Sequence, residues 1–227
     1  MKFRGEIRER GFAILSEVLS LDSVERLLGE INDLTPRRSR AGIRHVMSLA
    51  PVERIARHER LMETSRAILG PQPFPFRATL FDKSQSANWL VVWHQDTALP
   101  LQSRRDLRGW GPWSIKDGID YAHAPASALR DVLALRVSLD DSTSKNGPLR
   151  VLPGTHTLGV LNDDRIHELS TQIAPVDCVV PKGGVLAMRP LIVHASSKSQ
   201  TGMPRRVLHI EYAASDSIAD PLRLAIA

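Results

Sequence analysis

From Phe74 to Ala213 the chain consists of short apolar runs separated by Gly, Pro and small polar residues, and this restricts the fold more than any other feature. The runs are Arg77–Phe81, Val91–His94, Val132–Leu139, Leu149–Leu152, Val176–Val180, Val185–Met188, Leu191–Val193 and Val207–Tyr212. Each is too short for a helix and has the length and β-branched content of a strand. Asn146-Gly147 is a strong turn signal, and Gly183-Gly184 marks a tight turn between two runs. The first 70 residues read differently. Gly11-Phe12-Ala13-Ile14-Leu15 is a short strand. A helix follows, with Ser20 or Asp22 as N-cap and Val24, Leu27, Leu28, Ile31 and Leu34 as its buried stripe. Pro36 stops it. A second helical region runs from about Pro51 to Leu69, with Ile55, Leu61, Met62 and Ile68 toward the core, and Gly70-Pro71 closes it. A short helical patch covers Asp163 to Leu169. Helices first and many short strands afterwards describe a mainly β fold, a sandwich or barrel with an N-terminal helical layer.

The chain of 227 residues shows no repeat, linker or low-complexity stretch, so a single domain over 1–227 is expected. Its parts are a helical layer (1–70) and a β core (74–213). Between the strands lies a long segment, about 97–127, that reads as irregular. It holds Trp110, Trp113, His123 and the basic residues Arg104, Arg105, Arg108 and Lys116. Its tryptophans argue against disorder, and its place after the His94 strand makes it a candidate lid or substrate wall.

The 42% hydrophobic and 24% charged residues are those of an ordinary globular protein. No apolar run approaches the ~18 residues of a membrane span, and the charged N-terminus lacks the apolar core of a secretory signal. Cys178 is the only cysteine. That rules out an internal disulfide and a multi-thiolate zinc site, and it suits a cytoplasmic location. The net charge of +5 includes a basic cluster at Arg37, Arg38, Arg40 and Arg44. No aromatic residues interleave with it, so a solvated loop is the better reading than a nucleic-acid surface.

The stretch Val91-Val92-Trp93-His94-Gln95-Asp96 carries the chemistry. Residues two apart on a strand share a side, so His94 and Asp96 can aim at one point while Gln95 faces away. An imidazole and a carboxylate are two thirds of the facial triad that holds non-haem Fe(II). His194, at the end of Leu191-Ile192-Val193, is the candidate third ligand. A lone His-x-Asp is a frequent accident of spacing. Its weight here comes from the other motifs of the chain.

Those motifs together resemble the phytanoyl-CoA dioxygenase family, within the Fe(II)/2-oxoglutarate-dependent oxygenases. Trp93-His94-Gln95-Asp96 resembles the family's H-x-D. Asn146-Gly147-Pro148-Leu149 with Leu152-Pro153-Gly154-Thr155-His156 resembles its N-G-x-L…P-G-S/T-H segment. Gly183-Gly184, His194-Ala195-Ser196 and Arg205 resemble its distal His and 2-oxoglutarate-binding Arg. The likeness covers nearly the whole chain. It implies a double-stranded β-helix (jelly-roll, cupin-like) core. It also implies Fe(II), 2-oxoglutarate and O2 as cofactor and cosubstrates, with His94, Asp96 and His194 as iron ligands. Arg205 would pair with the distal carboxylate of 2-oxoglutarate, with Arg206 as its fallback. Ser196, Thr79 and Arg136 would be further contacts. Arg136 departs from the family, where an aromatic residue is common. A buried Arg there needs an anionic partner, from the cosubstrate, Asp140 or the substrate. His156 is the rival third ligand but belongs to a turn in the resemblance, and His209 reads as a core or a cavity-facing histidine, with the core reading favoured.

The implied reaction is hydroxylation of an unactivated C–H of a small molecule, with release of succinate and CO2. The carboxylate of Asp96 favours hydroxylation over halogenation, while desaturation and ring closure would use the same ligands. The basic residues of the 97–127 segment point to an anionic substrate. The alternatives are a nucleic-acid demethylase of the same superfamily and a cupin-like protein that binds metal or ligand without turnover. No nucleic-acid or membrane partner is expected, and oligomeric state stays open.

Overall fold

The computed structural model describes residues 2–34, 42–84 and 87–227. The expectations placed on Pro36, Arg37, Arg38 and Arg40, and on the side chain of Leu34, lie outside the described residues. In chain order the elements begin with α1 (Lys2–Arg10), β1 (Phe12–Leu15) and α2 (Leu21–Leu34). A 3-10 turn (Val46–Ser48) precedes α3 (Ala50–Ala56) and α4 (Glu59–Leu69). Then come β2 (Phe74–Lys83), β3 (Val91–His94), β4 (Ala98–Leu101), β5 (Trp113–Lys116) and β6 (Ile119–His123). Next are α5 (Ala126–Leu129), β7 (Val132–Ser138), β8 (Leu149–Val151), a second 3-10 turn (Thr155–Leu158) and α6 (Asp163–Gln172). The remaining strands are β9 (Val176–Cys178), β10 (Val185–Met188), β11 (His194–Ser196), β12 (Arg205–Ala213), β13 (Ser217–Ala219) and β14 (Leu222–Arg223).

Two antiparallel sheets form the centre. One has five strands in the order β1-β10-β7-β12-β2, the other four in the order β3-β11-β8-β9. Apart from β8 and β9, neighbours in these two sheets are never consecutive strands, as in a jelly roll. The outer face of the five-stranded sheet is covered by the helices. Leu133, Leu135 and Val137 of β7, and Leu208, Ile210 and Tyr212 of β12, pack there against Val24, Leu27, Leu28 and Ile31 of α2. Burying each of those four side chains contributes roughly 2 kcal/mol. The inner face meets the four-stranded sheet at Ala134, Leu186 and Met188 against Leu149, Val151 and Cys178. Farther along, the inner face turns polar. Arg77, Thr79, Phe81 and Lys83 of β2, and Arg205, His209 and Glu211 of β12, face a cavity instead of a packed core. Strand alternation produces both results: even positions of β2 and β12 serve the core, odd positions the cavity.

The expected helical stripe of α2 is present, and Ser20 is its cap, its Oγ accepting from the Ser23 amide at 3.2 Å. One element was not anticipated, and three local expectations are corrected. The charged N-terminus forms helix α1, anchored by a buried Ile7 and by Phe3; two apolar residues among nine carry too little periodicity to show it. The region 51–69 is two helices, broken at Arg57-His58, where His58 Nδ1 accepts from the Arg60 amide at 3.3 Å. The 97–127 segment, expected to be irregular, contains a three-stranded sheet, β4-β6-β5, with irregular chain between β4 and β5. The last is at His194, which opens β11; it does not close a strand over 191–193. Thr155 Oγ1 and the Leu152 amide occupy the Val193 backbone groups and keep that residue out of the ladder. No helix among the described residues is long and apolar enough to cross a membrane, and Cys178 is buried.

Candidate metal centre and cavity

β3 and β11 lie side by side in register, with His94 directly opposite His194. Their ring centroids are 4.2 Å apart. His94 Nδ1 is 2.8 Å from the Val92 carbonyl and His194 Nδ1 is 2.9 Å from the Ile192 carbonyl. A carbonyl oxygen only accepts, so each Nδ1–H donates, and each Nε2 is left as a lone pair. Asp96 lies just past the end of β3, held by its amide to the Pro190 carbonyl at 3.0 Å. Gln95 faces the other way, as its place between the two ligands requires. It donates to the Gly159 and Leu191 carbonyls at 2.9 and 2.7 Å and accepts from the Leu161 amide at 2.8 Å.

This geometry brings Asp96 Oδ2 within 3.4 Å of His194 Nε2 and Asp96 Oδ1 within 3.7 Å of His94 Nε2. One ligand atom from each of the three residues lies within 4.8 Å of the others. A first-row cation bonded at about 2.1 Å holds neighbouring donors about 3 Å apart, so the residues suit such an ion with small adjustment. Burial alone would raise the Asp96 carboxyl, but His194, His94, His209 and Arg77 hold it well below the usual range. Burial pushes His194 down to about 4, assisted by the neighbouring His94. A neutral imidazole and an ionised carboxylate are the states in which both bind metal.

The cluster faces a cavity of about 530 Å³, the size of a small-molecule site. Antiparallel pairing sets its floor. Arg205 stands opposite Lys83, His209 opposite Thr79, and Glu211 opposite Arg77, while His209 also stands opposite Arg136 on β7. At one end Lys83, only 1% exposed, donates to Ser196 Oγ at 2.6 Å and to the Ser197 carbonyl. Ser196 in turn donates to the Gly147 carbonyl at 3.1 Å. Arg205 is 4% exposed, and its Nε has no partner. Arg136 donates to His209 Nδ1 at 2.8 Å and lies over the Phe81 ring at 5.0 Å. Among the described residues no carboxylate is within ion-pair distance of these three cations; Asp140, the acid that acts on Arg205, is held by Arg206. Burial lowers Lys83 to about 7, with Arg205 and Arg136 adding to the shift. Burial likewise lowers Arg205 to about 10, with Arg136 adding to it.

The other end is built differently. Arg77 donates from Nε to buried Glu211 and from one Nη to the Ala98 carbonyl at 2.8 Å. Tyr121 Oη is 2.8 Å from His45 Nε2. Lys116 Nζ stands 4.5 Å, and Arg77 Cζ 5.8 Å, from the centre of the Tyr121 ring.

Of the residues singled out from sequence, His94, Asp96, His194, Arg205, Ser196, Arg136 and Thr79 all line this cavity. Arg206 does not. Its amide and guanidinium bond Asp140 at 2.8–2.9 Å on the opposite face of β12. His156 is remote from the cluster, its Nε2–H donating to the Arg8 carbonyl at 3.2 Å. Trp110, Trp113, Arg104, Arg105 and His123 are also absent from the lining. The tryptophans pack on the apolar cluster that contains Leu99 and Leu101, and Arg104 lies over Trp113 at 5.6 Å. Arg105 is exposed, and His123 Nδ1 is 2.6 Å from Thr97 Oγ1. The β5–β6 hairpin turns those tryptophans toward the apolar cluster and presents Lys116 and Tyr121 to the cavity. His209, expected in the core, also lines it. Sequence reasoning missed Arg77, Lys83, Tyr121 and Glu211. The available signal was charged residues at alternate positions of strands whose other positions are apolar.

The family model for phytanoyl-CoA dioxygenase (PhyH) matches residues 7–207. The chain belongs to that family. Among curated proteins it is 27% identical over 199 residues to the L-proline trans-4-hydroxylase of Streptomyces griseoviridis, covering 75% of this chain and 66% of that protein. It is 25% identical over 167 residues to the ectoine dioxygenase of Halomonas elongata, covering 66% of this chain and 44% of that protein. The matches thus take in less than two thirds of either relative. Structures of EctD from S. alaskensis superpose with a TM-score of 0.71. One contains 2-oxoglutarate and 5-hydroxyectoine (20% identity, 93% of this chain and 75% of that one). The other contains bound Fe (20% identity, 100% and 86%). At that identity the likeness establishes the fold.

Proposed function

We propose that this protein is an Fe(II)- and 2-oxoglutarate-dependent dioxygenase that hydroxylates an unactivated C–H of a small anionic metabolite, with release of succinate and CO2. One observation carries the reading. Two histidine Nε2 atoms and a carboxylate converge on the same cavity as buried Arg205, whose Nε has no hydrogen-bond partner and which has no carboxylate within ion-pair distance among the described residues. His94, Asp96 and His194 would hold the iron. Arg205 would meet the distal carboxylate of 2-oxoglutarate with paired N–H donors. Lys83, through the hydroxyl of Ser196, would fix that end, and Thr79 and Arg136 would flank it from β2 and β7. Bound Fe(II), with 2-oxoglutarate and O2, supplies the oxidising power for removal of a hydrogen atom from carbon. The chain's own tasks are to bind the substrate, keep its C–H near the metal cluster and exclude water. The proline hydroxylase and ectoine dioxygenase relatives support a small-molecule substrate; the anionic character rests on the cations of the cavity.

The test is an anaerobic titration of Fe(II) and 2-oxoglutarate into metal-free protein, followed by the visible band of a chelated 2-oxo acid. The wild type should give the band, His94→Ala should abolish it, and Arg205→Ala should weaken it by about a hundredfold in 2-oxoglutarate affinity, the scale of a buried charged hydrogen bond. A folded, iron-loaded wild type without the band would reject the reading.

A further inference from the structure

The cavity carries more positive charge than the proposed cosubstrate can answer. Among the described residues six cationic side chains line it (Arg44, Arg77, Lys83, Lys116, Arg136 and Arg205) against two carboxylates, Asp96 and Glu211. Six less two leaves an excess of four. A divalent metal adds two positive charges and 2-oxoglutarate removes two, so the excess is unchanged when both are bound. Lys83, Arg136 and Arg205 are buried, Lys116 is half-buried and Arg44 is exposed, and where such like charges are withdrawn from water they favour an arriving counter-charge.

Position shows where that counter-charge belongs. Lys83 and Arg77 are six residues apart on the same face of β2, roughly 20 Å at strand spacing. A cosubstrate running from the metal cluster to Arg205 and Lys83 therefore leaves the Arg77 end open. There Arg77 is already tied to Glu211 and to the Ala98 carbonyl. Lys116 and Arg44 are not so tied, and no acid lies within ion-pair distance of either among the described residues. Asp117, the exposed acid nearby, faces His45 at 3.7 Å. Burial lowers Lys116, and Arg77 and Arg44 lower it further, so the three cations stand close enough to repel.

The carboxylates are equally informative. Asp96 belongs to the metal cluster. Glu211 is 1% exposed, held by Arg77, with His209 Nε2 at 3.9 Å. Among the described residues the cavity has no third acid to receive a substrate ammonium.

On the dioxygenase reading above, we propose that the substrate is a net anion with no balancing ammonium, its anionic head seated at Lys116 and Arg44 beside the Tyr121–Arg77 group, at the end of the cavity away from Arg205. The zwitterions proline and ectoine, in the names of the relatives, would lack a partner for their positive charge here.

Three probes of one shape decide it: cyclopentanecarboxylate, cyclopentyl phosphate and L-proline. Each is titrated anaerobically into iron-loaded protein at saturating 2-oxoglutarate, and its affinity is read from the perturbed visible band. One of the two anions should bind at least tenfold more tightly than L-proline, and the tighter one identifies a carboxylate or a phospho head. Lys116→Gln and Arg44→Gln, both at solvent-accessible side chains, should each weaken that anion at least threefold with 2-oxoglutarate affinity unchanged. L-proline binding as tightly as the anions would overturn the proposal. So would unchanged anion affinity in both variants, or no binding of either anion. If the band never forms, the dioxygenase reading fails by itself. The same probes and variants, followed by calorimetry on the metal-loaded protein, then decide the anion site separately.

Discussion

Lys83 places an ammonium where water barely reaches, beside two guanidinium groups, and burial with those neighbours lowers it to about 7. A carboxylate arriving at Arg205 reverses that pressure and raises it. Binding of 2-oxoglutarate above pH 7 therefore takes up a proton, and affinity should fall as pH rises from about 7, by up to about tenfold per unit. Lys83→Met should flatten that slope, as calorimetry in buffers of different ionisation enthalpy would show. The folding sign is opposite. The unfolded chain holds the lysine proton more firmly, so this residue makes stability rise with pH between about 7 and the ordinary lysine value. The neighbouring pair on β12 separates binding from stability. Arg205→Ala should weaken 2-oxoglutarate and leave folding nearly untouched. Arg206→Ala, which removes the two side-chain hydrogen bonds to Asp140 and keeps the backbone one, should leave 2-oxoglutarate affinity unchanged and cost about 1–3 kcal/mol in urea unfolding. Equal effects of the two on cosubstrate affinity would reject the assignment.

Elements differ in how visible they are before folding. The stripe of α2 and its cap were legible because a 3.6-residue period and a Ser before it report on one helix alone. Ser20→Ala should cost about 1 kcal/mol in thermal or urea unfolding without touching cosubstrate binding. The His94 strand was legible for a similar reason, since two-residue alternation already puts His94 and Asp96 on one side. The end of β11 was not. Whether His194 closes a strand or opens one depends on partners of Val193 that come from residues 152 and 155. The hairpin of β5 and β6 was also hidden, its short runs interrupted by turn residues that read as irregular. The Asn146-Gly147 turn links element and site. Gly147 has φ +69°, and a Cβ there would collide with the Ser197 carbonyl. Gly147→Ala should destabilise by roughly 1–3 kcal/mol. Because the Gly147 carbonyl accepts from Ser196, it should also weaken 2-oxoglutarate binding, measurable in the same titration.

At the scale of the molecule, metal and cosubstrate are expected to act as stabilising ligands, because the cluster and the cationic end each hold like charges or bare lone pairs together. At a free concentration one hundred times the dissociation constant, 2-oxoglutarate should add about 2.7 kcal/mol to the metal-loaded protein. The corresponding rise in Tm should shrink in Arg205→Ala; an undiminished rise would place the cosubstrate elsewhere. The sequence alone determined the β class, the helical layer, the His94–Asp96 pair and the identity of His194 and Arg205 as candidates. Local periodicity and short motifs carry that information within a few residues. Only the tertiary structure decided which strands become neighbours, and so which distant residues share a cavity. Lys83 and Arg205, Arg77 and Glu211, and Lys116 and Tyr121 are brought together by strand pairing and hairpin orientation. It also excluded Arg104, Arg105, Trp110, Trp113, His123 and Arg206 from the lining. A side chain's type says what it could bind, but the face of the strand that carries it, set by long-range pairing, says whether it meets the site.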